Sequence, residues 1–265
     1  KIPLLSNQDF FSQNFDFVYI CCPNSFHEKY IIKSLNSSYH VICEKPFLTK
    51  KKNLKKILTL AKNKNKLLFE CFMYTYHPVF GYLKKIIKSK KYGKIRYLIS
   101  NFSFPSLQRS DNRYKKSEGN GFFNDSASYL VSLESYLLEN FNSKFKFQSA
   151  KLKKNVDLRG YIYLKKNNQI RHYFWGEGQN YKNNIEVFFD EATIHIDKFF
   201  SKVKKEQISI KVHSKKNLKE IHFKPVDQFD IMFKKIIKNY LKKDFKLLNY
   251  SLIENQINLM TKFNK

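Results

Sequence analysis

The feature that most constrains this chain is a change of hydrophobic period near residue 94. Before it, short apolar runs alternate with amphipathic stretches. Residues 17–22 (FVYICC) are continuously apolar, as in a strand buried on both faces. Residues 25–35 carry Tyr30, Ile31, Ile32 and Leu35 at helical spacing, with Asn24 or Ser25 suited to cap them. Residues 40–43 read as a second strand and 49–63 as a helix buried through Leu54, Ile57, Leu58 and Leu60. A third strand over 67–72 and a helix over 77–90 (Phe80, Leu83, Ile86, Ile87) follow. Strand and helix in this alternation predict βαβ units and a parallel sheet.

Beyond residue 94 the pattern is different. Residues 94–104 alternate as a strand, 106–121 form a polar loop, and 122–140 return to helical period. Short β-like runs then cover 145–152, 160–164, 169–175, 184–189, 193–199, 208–212 and 220–223, separated by turn residues such as Lys166-Asn167-Asn168. Helices over about 227–243 and 249–262 close the chain. The expected fold is α/β plus α+β. A partial Rossmann-type parallel sheet occupies 1–93 and a mainly antiparallel open-sheet domain 94–265, with the closing helices able to pack back on the first domain. No internal repeat is present.

Charge is the next constraint. There are 50 basic and 22 acidic residues, a net +28. Nucleic-acid readers mass their cations and favour Arg for its bidentate fork. Here the lysines are spread along the whole length, and the arginines are only Arg96, Arg109, Arg113, Arg159 and Arg171. Lys, Asn, Ile, Phe and Tyr are plentiful and Gly and Pro few, as AT-rich codon usage would produce. A solvated basic surface is therefore favoured over a specific nucleic-acid partner. No stretch approaches the roughly 20 apolar residues of a membrane-spanning helix. Cys21, Cys22, Cys43 and Cys71 form no C-x-x-C pair and have no His cluster beside them, which speaks against zinc. Buried thiols in a reducing cytoplasm are the expectation.

Four segments carry chemistry. They are Asp16-Phe17-Val18-Tyr19-Ile20-Cys21-Cys22-Pro23-Asn24-Ser25-Phe26-His27, then His40-Val41-Ile42-Cys43-Glu44-Lys45-Pro46, then Glu70-Cys71-Phe72-Met73-Tyr74-Thr75-Tyr76-His77-Pro78. The fourth is Asp111-Asn112-Arg113 followed by residues 119–129, GNGFFNDSASY. In this order they resemble the Gfo/Idh/MocA family, which includes glucose–fructose oxidoreductase, inositol dehydrogenase and dihydrodiol dehydrogenase-like enzymes. The similarity runs to about residue 142; beyond it only the architecture fits. Two positions depart from the family pattern: Thr75 stands where Arg is usual and Ala127 where Gly is usual. A third departure is larger. No G-x-G-x-x-G occurs, and the first glycine is Gly81. A dinucleotide fold needs such a turn so that backbone amides can approach the pyrophosphate. With no initial Met, the chain reads as lacking the first β-α-β unit of its family.

The resemblance implies an NAD(P)-dependent oxidoreductase that passes hydride between NAD or NADP and a sugar, polyol or related secondary alcohol. The alternative is a non-catalytic remnant or binding protein of the same fold. Lys45, Asp125 and Tyr129 are the implied catalytic residues. Pro23, Asn24, His27, Glu44 and Lys45 are the implied cofactor contacts, and Arg113 either holds substrate or braces its loop. Asp125 and Tyr129 lie four apart, on one face of a helix. A phenol is a poor base near neutrality unless a cation stabilises its anion, and Lys45 is the expected cation. Trp175 and the aromatic strands are expected to pack a sheet or a subunit interface. The expected partners are a small-molecule substrate and further copies of the chain, joined through the open sheet; a metal and a membrane are not expected.

Overall fold

The computed structural model describes residues 4–115, 121–139, 144–152, 156–215, 217–242 and 250–263. It opens with a short helix, α1 (Asn7–Ser12), whose first turn is capped by the Ser6 hydroxyl. Six residues with no buried side chain leave little periodicity to read, and sequence reasoning missed it. The expected alternation follows as β1 (Phe17–Ile20), α2 (Asn24–Asn36), β2 (His40–Glu44), α3 (Leu54–Asn63), β3 (Leu68–Cys71) and α4 (Pro78–Ser89). The strands pair in parallel in the order β1-β2-β3, with Phe17 opposite His40 and Val41 opposite Leu68. Pro23, rather than Asn24 or Ser25, takes the N-cap of α2. α3 starts later than residue 49, because Lys50, Lys51 and Lys52 give its first turn nothing to bury.

The second half is an eight-stranded sheet in the order β11-β10-β9-β8-β4-β7-β6-β5. Its strands are β4 (Ile95–Phe104), β5 (Lys144–Leu152), β6 (Val156–Lys166), β7 (Gln169–Glu177), β8 (Lys182–Phe189), β9 (Ala192–Asp197), β10 (Ile208–Ser214) and β11 (Leu218–Phe223). Only β4 and β7 pair in parallel; every other pairing in this sheet is antiparallel. Parallel α/β followed by a mainly antiparallel sheet is the architecture the period change predicts.

Alternation along the strands turns one face of this sheet inward. Leu98, Phe102, Tyr173, Trp175, Ile185, Val187, Ile194 and Ile196 are all buried on it. A continuous helical segment lies on that face. It comprises a π-helical turn (Phe123–Ala127), an α-helical turn α5 (Ser128–Ser132) and a second π-helical turn (Leu133–Leu137). The apolar core does not divide at residue 93: Ile42, Phe69 and Leu83 share one cluster with Leu98, Leu130 and Val187. The last two helices are α6 (Gln228–Leu241) and α7 (Tyr250–Phe263). Through Tyr250, Ile253 and Ile257, α7 packs back against Val41, Leu58 and Leu68. Among the described residues no helix is long and apolar enough to cross a membrane.

Candidate active site

Parallel strands end at a common edge, and in open α/β sheets ligands bind there. Here that edge delivers Cys21 to Asn24 after β1, Lys45 after β2 and Met73 after β3. β2 is buried through Cys43, so the first side chains free to face a ligand are Glu44 and Lys45.

The Lys45 ammonium donates to Asp125 Oδ1 at 2.6 Å and to the Asp125 carbonyl at 2.9 Å. Asp125 sits in the first π-helical turn, carried to Lys45 by the packing of that segment on the large sheet. Its second oxygen accepts from Arg113 Nε at 2.7 Å. Arg113 Nη1 in turn donates to both oxygens of Asp111, at 3.0 and 3.2 Å. The four charges therefore alternate in sign along one line. Burial works to raise the Asp125 carboxyl, but Lys45 and Arg113 outweigh it and hold it below the usual carboxylate range. Arg113 is thus the brace of the 111–115 loop, with 39% of its side chain still exposed toward the cavity.

Tyr129 lies where expected but is aimed differently. The Lys45 ammonium stands over its ring, 4.6 Å from the centroid. The hydroxyl points to Met73 Sδ at 3.5 Å. Phe72 and Phe102 flank the ring edge-to-face, with centroids at 5.7 and 5.2 Å. Burial, aided by the Glu44 and Asp125 carboxylates, pushes the phenol well above its ordinary pKa. The expectation of a phenolate held by Lys45 is therefore corrected. The cation meets the face of the ring, and two carboxylates oppose the anion. The phenol therefore keeps its proton near neutrality.

The expected cofactor contacts divide. Glu44 Oε1 accepts from the Tyr19 hydroxyl at 2.5 Å and Oε2 from the Lys45 amide at 3.3 Å. A carboxylate offers about four lone-pair sites, so acceptor capacity remains for a sugar hydroxyl. Pro23 and Asn24 form the turn from β1 into α2 at the same edge. His27, in contrast, is fully buried. Its ring nitrogens are engaged by the Pro46 carbonyl at 2.9 Å and the Cys22 carbonyl at 3.0 Å. It ties the loop after β1 to the loop after β2 and does not face a ligand, because the first turn of α2 carries it under the sheet edge. Gly119 and Asn120 of the fourth motif lie outside the described residues.

Lys45, Arg113, Asp125 and Tyr129 open together onto a cavity of about 440 Å³, lined also by Phe102, Phe104 and Tyr181. The cation, the carboxylate, the phenol and the aromatic lining suit a polar molecule with a carbonyl or hydroxyl at the Lys45 end. Glu70 was not anticipated. It is buried at β3 and accepts from the Phe47 amide at 2.9 Å, two residues beyond Lys45. Burial pushes its carboxyl up to about 8. A carboxylate inside the apolar run LLFECF was the available signal. Among the described residues no group of three or more His, Cys, Asp or Glu side chains is placed to hold a metal ion.

Comparison with known proteins agrees with this fold. A family model described as the oxidoreductase family with an NAD-binding Rossmann fold, GFO_IDH_MocA, matches residues 2–72. The corresponding C-terminal domain model matches residues 80–195. A dTDP-3,4-didehydro-2,6-dideoxy-alpha-D-glucose 3-reductase of Saccharopolyspora spinosa is 26% identical over 215 residues, 80% of this chain and 65% of that protein. The matched chain thus spans under two thirds of that relative's length. The NADP-dependent scyllo-inositol 2-dehydrogenase IolU of Bacillus subtilis is 34% identical over 91 residues, 34% of this chain and 27% of that protein. Among solved structures, a tyrosine-to-phenylalanine variant of KijD10, a 3-ketoreductase from Actinomadura kijaniata in complex with TDP-benzene and NADP, superposes with a TM-score of 0.89. It is 19% identical and the match covers 98% of this chain and 81% of that one, which speaks for the fold alone.

Proposed function

Because the chain belongs to the Gfo/Idh/MocA oxidoreductase family, we propose that it serves the NADP(H)-dependent reduction of a keto group on a sugar, with a nucleotide-linked deoxysugar the favoured substrate class. The observation that carries this reading is the convergence of Lys45, Asp125 and Tyr129 on one cavity at the carboxyl edge of the parallel sheet. Relatives that act on dTDP-linked keto sugars support the substrate class.

The residues fit the nicotinamide end of such a cofactor. Glu44 keeps acceptor sites for ribose hydroxyls, and Pro23 and Asn24 shape the floor beside it. The pyrophosphate end needs a glycine-rich cradle, and none is found in these 265 residues. When bound, the nicotinamide supplies hydride. The substrate oxygen then sits within reach of Lys45, whose ammonium stabilises the negative charge growing on it. Asp125 holds that ammonium in place through its Oδ1 and its carbonyl. Tyr129, kept protonated by burial, leaves its weak thioether acceptor and gives its proton to the oxygen.

Four unpaired cysteines, two of them buried, support a reducing compartment, and the cytoplasm is the proposed location. Further copies of the chain are the proposed partners through the outward face of the large sheet. Tyr97, Tyr161 and Phe174 are exposed on that face at 49%, 39% and 37%. Glu186, Asp197 and Lys211 mix both signs there, which lets two strongly basic chains approach.

The Tyr129 hydroxyl, turned to Met73 Sδ, favours one second reading, a fold that has kept its substrate pocket without turning over. Activity separates the two. The chain is assayed for NADPH consumption with a dTDP-linked keto sugar, alone and fused behind a glycine-rich β-α-β unit. Turnover by the fused chain that is lost in Lys45→Met supports the oxidoreductase. Tight sugar binding with no turnover in either form supports the second reading.

A further inference from the structure

β7 carries three polar aromatic or cationic side chains, Arg171, Tyr173 and Trp175, at a spacing of two. All three face inward and are buried, toward the helical segment that holds Asp125 and Tyr129. Each meets a carboxylate. Glu134, in the second π-helical turn, accepts from Arg171 Nη1 at 3.0 Å and from the Tyr173 hydroxyl. Asp157, on β6, accepts from Trp175 Nε1 at 3.2 Å and, through the same oxygen, from the Phe123 amide at 2.5 Å. Phe123 is the first residue of the segment, where amides have no partner within the helix.

The segment is thus fastened to the sheet near both ends, with Asp125 and Tyr129 between the fastenings. Stability alone does not account for this. Glu134 and Arg171 are 1% and 2% exposed, and a buried ion pair gains little over well-packed apolar residues of the same size. What such a pair does supply is register. Register is at issue here, since the segment passes from π-helix to α-helix and back within 15 residues. π-helical turns of this kind recur at functional sites.

We infer that Glu134 and Asp157 are positioning residues: by binding Arg171, Tyr173, Trp175 and the Phe123 amide, they set the register that brings Asp125 onto Lys45 and Tyr129 into the cavity. This rests on the function proposed above. The test therefore begins with a readout that needs no turnover, the titration of the Asp125 carboxyl followed by carbon-13 NMR. In Asp157→Asn and Glu134→Gln the Lys45–Asp125 contact should loosen, and the Asp125 midpoint should rise by about half a pH unit or more. Tyr173→Phe removes only one donor from Glu134, and serves if Glu134→Gln does not fold. Glu206→Gln, in an ion pair with Lys198 elsewhere on the molecule, should leave Asp125 unmoved.

Emission from Trp175, the only tryptophan, reports the Asp157 fastening directly and should shift in Asp157→Asn. In the turnover assay, both variants should lose roughly tenfold to a hundredfold in kcat with little change in the KM for the sugar. Folded variants with an unmoved Asp125 titration overturn the inference, whatever the turnover. A parent chain that shows no turnover even when fused behind a glycine-rich β-α-β unit, while Asp125 still moves in the variants, rejects the proposed function and leaves the positioning intact.

Discussion

Burial decides what Tyr129 can do. Its hydroxyl has one weak acceptor, Met73 Sδ, and its ring faces the Lys45 ammonium. Tyr129→Phe removes only the O–H···S contact, so the thermal midpoint should change little, while kcat falls about 10²-fold if the phenol is the proton donor. Unchanged turnover would return Tyr129 to a packing role. Glu70 makes a different prediction. Its carboxyl is pushed up to about 8 in the folded chain, from an ordinary value of 4.5. Between those two values the unfolded chain has released a proton that the folded chain keeps, so stability falls as pH rises through that window. Glu70→Gln keeps an acceptor for the Phe47 amide and cannot ionise. Its stability should fall less from pH 5 to 8 than that of the parent, by an amount on the order of 1–4 kcal/mol, read from denaturant midpoints at each pH. Equal slopes would contradict the assignment. That Lys45, Asp125 and Tyr129 would meet was legible because each lies in a short contiguous motif. The His27 role was not, since only the fold shows that the first turn of α2 puts both of its ring nitrogens beside backbone carbonyls.

At the scale of elements, the alternation of strand and helix was readable because period 2 and period 3.6 leave different apolar patterns. The reading failed where side chains give no pattern, as at α1, or where lysines stand in place of an apolar face, as before α3. The two π-helical turns were not readable either. Their register is set by Glu134 and Asp157, whose partners lie 37 and 18 residues away and carry no local signature. The start of this segment makes its own prediction. Gly121 has φ +113°, and a Cβ placed on it would lie 2.5 Å from Asp157 Oδ1. Gly121→Ala should therefore both strain the backbone and displace Asp157, costing about 1–3 kcal/mol. Thermal unfolding measures the cost, and Trp175 emission should move with it. A silent substitution would mean that the Asp157 fastening tolerates displacement.

The whole molecule joins a parallel and a mainly antiparallel sheet through a common apolar core, and the cavity opens where the edge of one meets the inward face of the other. The outward face of the large sheet keeps an aromatic patch. If two copies meet there, Tyr97→Lys with Phe174→Lys should convert a dimer to monomer in analytical ultracentrifugation, and a dimer that persists would point to another surface. The net charge of +28 predicts weak, salt-sensitive retention on polyanions. The central claim is that this cavity is where hydride reaches a sugar ketone, with Lys45 and Tyr129 managing the oxygen. It is tested most directly by isotope transfer. The chain fused behind a glycine-rich β-α-β unit is given NADPH deuterated at the transferable C4 position and a dTDP-linked keto sugar, and the product is read by mass spectrometry. Deuterium bound to carbon in the sugar product, formed by the parent and not by Lys45→Met, is the expected result. Equal label from both, or tight sugar binding with no label from either, would contradict the account.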